Sequence, residues 1–201
     1  ELKATVKDWY QKRYHVELDE QREILALQGS QEGLAHIALA VCDEGDVVLI
    51  PAPSYPIFAN GPRIAGAEVY EMPMLEEYDY QIQLQDIPED IARRAKMMIV
   101  SYPNNPTGAI ATDTFFEELV AFAKHYDILV LHDMAYSELV FDGGKPKSFL
   151  AYPGAKEVGI EFNSFSKNYG MAGARIGLCV GNKEAVRCLR KLKSNIDYGM
   201  F

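Results

Sequence analysis

Short, uninterrupted apolar runs recur along the chain with helical patterns between them, and this alternation restricts the fold more than any other feature. Strand-like runs occupy 24–27, 47–50, 68–72, 97–101, 128–132, 158–163 and 176–180, and helical patterns occupy 31–42, 57–66, 87–95, 113–126 and 183–195. Runs such as Val47-Val48-Leu49-Ile50 and Ile128-Leu129-Val130-Leu131 are apolar at every position. That suits strands covered by helices on both faces, not strands with one wet face. Strand–helix–strand repetition implies right-handed crossovers and a mostly parallel sheet. The expected fold class is therefore α/β: a three-layer α/β/α sandwich with a mostly parallel sheet, one domain over 1–201 and no internal repeat. At 201 residues the chain is long enough to bury a substantial core.

Charge narrows the partners. The balance of 29 acidic against 20 basic residues leaves a net charge of −9, which disfavours nucleic acid and anionic membrane surfaces, since both need a positive stripe. The one dense basic run, Arg187, Arg190, Lys191 and Lys193, is interleaved with Leu189 and Leu192 and reads as the solvated face of an amphipathic helix. Cys42, Cys179 and Cys188 lie far apart with no CxxC spacing, so they read as buried or incidental thiols, with neither a disulfide frame nor a metal site implied. No apolar run approaches a membrane span and no leader pattern is present, so a cytoplasmic protein is expected. The chain begins at Glu1 inside a helical pattern (Leu2, Val6, Trp9, Tyr10) and stops at Phe201, which reads as a piece of a longer protein.

In a sheet of this kind ligands bind at the carboxyl ends of the strands, and chemistry-bearing strings follow the apolar runs. Ser164-Phe165-Ser166-Lys167 comes directly after the run ending at 163. A lysine there can act as an amine nucleophile toward an aldehyde; taken alone, the string reads more readily as a surface lysine. Gly170, Gly173 and Gly177 surround Arg175, leaving the backbone free to turn and present a guanidinium to an anion; by itself Arg175 reads more readily as an ordinary surface or ion-pair residue. Gly29-Ser30-Gln31-Glu32-Gly33 opens a helix after the first run, so it is either a natural phosphate seat or a plain Ser N-cap. Tyr102-Pro103-Asn104-Asn105-Pro106-Thr107-Gly108 is a structural turn, or a rigid holder for the amide of Asn105. Asp133 and Tyr136 follow the fifth run closely enough to face one ligand, although a strand-end Asp is often just a turn former. His132 reads as a packed or hydrogen-bonded histidine. Tyr55, in Pro53-Ser54-Tyr55-Pro56, brings an aromatic ring to the same edge or fills core.

Together these strings resemble the class I/II aminotransferases, which are fold-type I enzymes dependent on pyridoxal 5'-phosphate (PLP). G-S-Q-E-G, P-x-Y-P, Y-P-N-N-P-T-G, D-x-x-Y and S-x-S-K followed by G-x-R occur in that family's order over essentially the whole chain. The stretches Glu68–Pro73 and His132–Glu138 are most similar to the LL-diaminopimelate aminotransferase group and its alanine/aspartate-type relatives. The resemblance implies transfer of an amino group between an amino acid and a 2-oxo acid. Lys167 would form a Schiff base with PLP and shuttle a proton, and Asp133 would pair with the pyridine nitrogen. Tyr136 and Asn105 would bind the phenolic oxygen, and Tyr55 would stack on the ring. Ser30, Gln31, Ser164, Ser166 and Arg175 would hold the phosphate.

It also implies that 1–201 is the large PLP-binding domain. The small domain, the arginine for the substrate's α-carboxylate and a tyrosine donated across a homodimer would lie elsewhere, and the piece alone would lack transamination. Ala174 stands where many relatives carry tryptophan, and Gly170 where asparagine is often seen. Two other readings share these residues. A PLP-dependent carbon–sulfur lyase uses the same lysine, aspartate and tyrosine, and a non-catalytic ligand-sensing module adopts an aminotransferase-like domain.

Overall fold

The computed structural model describes residues 1–145 and 147–197, so the chain end at Phe201 lies outside the described residues. In order the elements are α1 (Leu2–Tyr14), β1 (Ile24–Gln28), α2 (Ser30–Val41), β2 (Val47–Ala52), α3 (Ile57–Ile64), β3 (Glu68–Pro73), α4 (Glu89–Arg94), β4 (Ala95–Ser101), α5 (Asp113–Tyr126), β5 (Leu129–Asp133), α6 (Ala155–Val158), β6 (Gly159–Ser164), α7 (Phe165–Asn168), β7 (Ile176–Gly181) and α8 (Lys183–Ile196), with short 3-10 turns between some of them. Seven strands form one sheet in the order β1-β7-β6-β5-β4-β2-β3. Every adjacent pair is parallel except the two that involve β7. The sheet is therefore mixed but mostly parallel, and β7 is its one reversed strand.

Period-two alternation divides the core into two clusters, one on each face. Val47, Leu49, Met98, Val100, Val130, Leu178 and Val180 face the side covered by α1 and α5, where Tyr10, Phe115, Phe116 and Phe149 pack. Val48, Ile50, Met97, Ile99, Leu131, Ile160, Phe162 and Cys179 face α2, α3 and α8, meeting Leu34, Ile37, Phe58, Val186 and Leu189. Strands apolar at every position are thus buried on both faces, as the sequence requires of a sheet between two helical layers.

Four details depart from expectation. Val158 ends the one-turn helix α6 and does not open β6; at the fifth run the strand proper begins at Leu129, one residue later than expected. The one-turn helix α7 carries Lys167 and is too short for periodicity to reveal. The basic run of α8 is not uniformly solvated. Arg187 is exposed and pairs with Glu184, but Arg190 donates to the carbonyl of Ile24 at 3.2 Å, and Lys193 is buried, with Nζ 2.5 Å from Glu32 Oε1. Helices α8 and α2 pack together, so the lysine's aliphatic stem is covered while its ammonium is neutralised. The three cysteines are free; Cys179 is buried and the other two are half-buried. Among the described residues no helix is long and apolar enough to cross a membrane.

Candidate active site

At the carboxyl ends of the parallel strands a cavity of about 390 Å³ is lined by Ser30, Gln31, Tyr55, Asn105, Asp133, Tyr136, Ser164, Ser166, Lys167 and Arg175, the ten residues singled out from the sequence. Leu34, Phe58, Ser101, Ala135 and Ala172 complete the lining. Of these, Ser101 carried a legible signal, since it is a polar residue closing a strand-like run. It pairs in register with Asp133 across β4 and β5.

Asp133 forms the floor. It is buried, its Oδ1 has no hydrogen-bond partner among the described residues, and burial pushes its carboxyl from the ordinary 3.8 up to about 6. The neighbouring His132 and the backbone N–H of Ala135 pull the other way, less strongly. Beside it, Asn105 Nδ2 donates to the Tyr136 hydroxyl at 3.3 Å. Burial also raises the Tyr136 hydroxyl, helped by Asp133. Asn105 is presented by a loop that Asn104 knits together: its side-chain Oδ1 accepts from the Thr107 backbone at 3.2 Å and from the Thr107 hydroxyl at 2.9 Å, and its carbonyl accepts from Gly108.

The rim is polar and open. Gly29, at φ 74, caps α2 in place of Ser30, and among the described residues no side chain caps that helix's first N–H groups. A Cβ on Gly29 would stand 2.5 Å from Arg175 Nη2, and one on Gly177 would collide with the backbone of Gly29 and Ser30. Only glycine at both places lets the guanidinium close over the helix start, where the dipole and free N–H groups attract an anion. Arg175 Nη1 donates to Ser166 Oγ at 3.4 Å and to the Ala172 carbonyl at 3.1 Å. Ser164 caps α7 by accepting from the Ser166 N–H, which places Lys167 in the first turn after β6. Tyr55 stands 40% exposed, edge-on to Phe58 at 6.2 Å. Ala172, not Ala174, reaches the cavity. Gly170 sits at φ 64 with open space around it, a conformation glycine and asparagine both tolerate.

A buried carboxylate with a free acceptor oxygen suits a cationic N–H donor, and the helix start beside Arg175 in the same cavity suits an anion such as a phosphate. A protonated pyridine ring bearing a phosphate meets both demands, with Lys167 beside it to hold an aldehyde, so the residues present fit PLP. Mixed α/β sheet and cavity together define the large domain of a fold-type I enzyme. The chain belongs to the class I and II aminotransferase family, whose model matches residues 1–197. It is 51% identical over 201 residues to the LL-diaminopimelate aminotransferase of Syntrophobacter fumaroxidans, covering 100% of this chain and 52% of that protein. Apo-BacF of Bacillus subtilis superposes with a TM-score of 0.96 at 37% identity, over 100% of this chain and 51% of that one. A probable N-succinyldiaminopimelate aminotransferase of Thermus thermophilus gives 0.95 at 40% identity, over 99% and 53%. The chain spans about half the length of the curated relatives it matches.

Proposed function

We propose that this chain is the PLP-binding large domain of an aminotransferase that moves an amino group between a diaminopimelate-type amino acid and a 2-oxo acid, acting as a homodimer in its full-length form. The observation that carries the reading is the partnerless Oδ1 of buried Asp133 in the same cavity as Lys167 and Arg175. When bound, PLP supplies an aldehyde that accepts the amino group and a ring that withdraws electrons from the substrate's α-carbon. Lys167 Nζ holds the cofactor and afterwards takes and returns the α-proton. Asp133 would accept a hydrogen bond from the protonated ring nitrogen and hold that proton there. Arg175, Ser30, Gln31, Ser164 and Ser166 would hold the phosphate, Asn105 and Tyr136 would bind the phenolic oxygen, and Tyr55 would supply an aromatic face for the ring. The diaminopimelate assignment draws on the relatives' names and their identity to this chain.

The test is an absorbance spectrum of the full-length protein with PLP before and after borohydride reduction, alongside Lys167→Ala. A reduced adduct on Lys167 that the variant lacks supports the reading; no adduct, or one on another lysine, sinks it. Amino transfer from LL-diaminopimelate that depends on an added 2-oxo acid supports the reaction class. Pyruvate and ammonia released from cystathionine without an acceptor would instead make the protein a lyase.

A further inference from the structure

Behind the cavity, sealed on the opposite face of the sheet, lies a second polar group that the proposed chemistry leaves unused. His132 and Asp133 are successive residues of β5, so their side chains leave the strand on opposite faces. Asp133 enters the cavity, while His132 enters the cluster beneath α1 and α5, edge-on to Phe116. Its cross-strand neighbour is Glu161 of β6, and both are fully buried.

The ring's protonation can be read from its partners. His132 Nε2 lies 3.1 Å from the carbonyl oxygen of Tyr102, which can only accept, so Nε2 carries a hydrogen. Nδ1 lies 3.0 Å from Glu161 Oε1. The Glu161 carboxylate accepts three further bonds: from the Phe149 N–H at 2.6 Å, from Ser148 Oγ at 2.8 Å and from the Tyr10 hydroxyl at 3.0 Å. Tyr10 in turn accepts from Asn163 Nδ2. Three donors aimed at the carboxylate favour its anionic form, and a carbonyl at the far ring nitrogen favours the cationic ring. The single proton between Nδ1 and Oε1 therefore rests on the ring.

We propose that His132 is a doubly protonated imidazolium ion-paired with Glu161, and that the pair is a positioning element for the cofactor site. Through Nε2 it fixes the Tyr102 carbonyl, the root of the loop that carries Asn105. Through its charge it sets a permanent cation one residue from Asp133. That cation opposes the burial that pushes the Asp133 carboxyl up, and so helps keep ionised the group that must receive a pyridinium. The positioning role rests on the PLP reading; the ion pair itself does not.

Nitrogen-15 NMR of the cofactor-free full-length protein tests the pair, with the His132 ring signals assigned through bonds from the residue's own backbone resonances. In the folded protein His132 is expected to show two hydrogen-bearing ring nitrogens. One bare nitrogen overturns the proposal, and this measurement on the unaltered protein needs no variant to fold. Glu161→Gln removes the anion and is expected to reduce the ring to one N–H and to weaken PLP affinity about tenfold when titrated at about pH 5, below the Asp133 midpoint of about 6, where a loss of one decade in the carboxyl's ionisation equilibrium passes in full into binding. Unchanged affinity would overturn the positioning role. A persistent imidazolium with no borohydride adduct on Lys167 would leave the ion pair standing and remove the cofactor reading instead.

Discussion

Asp133→Asn is expected to make the cofactor-free protein more stable while destroying its hold on the cofactor. The carboxyl's rise from 3.8 to about 6 is roughly two decades in protonation, or about 3 kcal/mol at about 1.4 kcal/mol per decade. The sign follows from linkage. The folded chain binds this proton more tightly than the unfolded chain does, so the group's favourable contribution is complete below 3.8 and is lost as the pH climbs through about 6. Asparagine keeps the shape and removes the ionisation. Its amide brings an unpaired donor into the floor at a cost of about 1–2 kcal/mol, but that cost does not vary with pH.

The difference between the two proteins therefore isolates the effect. Urea unfolding without PLP should show the variant gaining on the parent by about 3 kcal/mol between about pH 3 and about pH 8. For a chain of this size that corresponds to about 6–10 °C in midpoint temperature. Adding PLP should reverse the order, because a ligand that binds only the folded parent stabilises it by mass action. A stability difference that stays flat across that pH range would refute the reasoning, since it would mean that Asp133 is solvated or already paired when the cofactor is absent.

Two further outcomes follow from the same geometry. Gly29→Ala puts a Cβ 2.5 Å from the Arg175 guanidinium at φ 74. Phosphate and PLP affinity should fall by tenfold or more, read by fluorescence titration, at a stability cost of about 1 kcal/mol; full affinity would show that Arg175 does not close over the helix start. Lys193→Met takes the ammonium from the half-buried Glu32 carboxylate, which still accepts from the Gln28 N–H, and should cost about 3 kcal/mol in urea unfolding, with Glu32→Gln added to the same chain restoring part of the loss; a loss below about 1 kcal/mol would place the pair in solvent.

Most of the strand edges were legible because fully apolar runs bounded by turn residues allow little else, and the site strings were legible because each closes such a run. What stayed hidden is long-range or too short to have a period. Nothing local says that β7 runs against its neighbours, since pairing partners lie far apart in sequence. Nor does periodicity reveal one-turn helices such as α6 and α7. Glu161 was absorbed into an apolar run, and only the fold shows that it is the counter-charge of His132. Lys193 looked solvated because a basic run on one helix does not disclose that α2 will carry a glutamate to meet it.

Burial is distributed across the cavity according to what each group must do. Arg175 keeps its charge in any surroundings, so it can stand exposed on the rim, where it needs only a clear path to the helix start. Asp133 is different, because its usefulness depends on its ionisation, and burial is the lever that moves it. A one-residue slip of β5 would exchange the faces of His132 and Asp133. That slip would put the carboxylate beside Glu161, two anions in the core, and turn the imidazole toward the cavity. The cross-strand pairing of His132 with Glu161 opposes that slip, and Ser101 paired with Asp133 holds the same register from the other side. The ion pair behind the sheet and the carboxylate in front of it are thus two consequences of one strand register, which is why perturbing either should be felt at both.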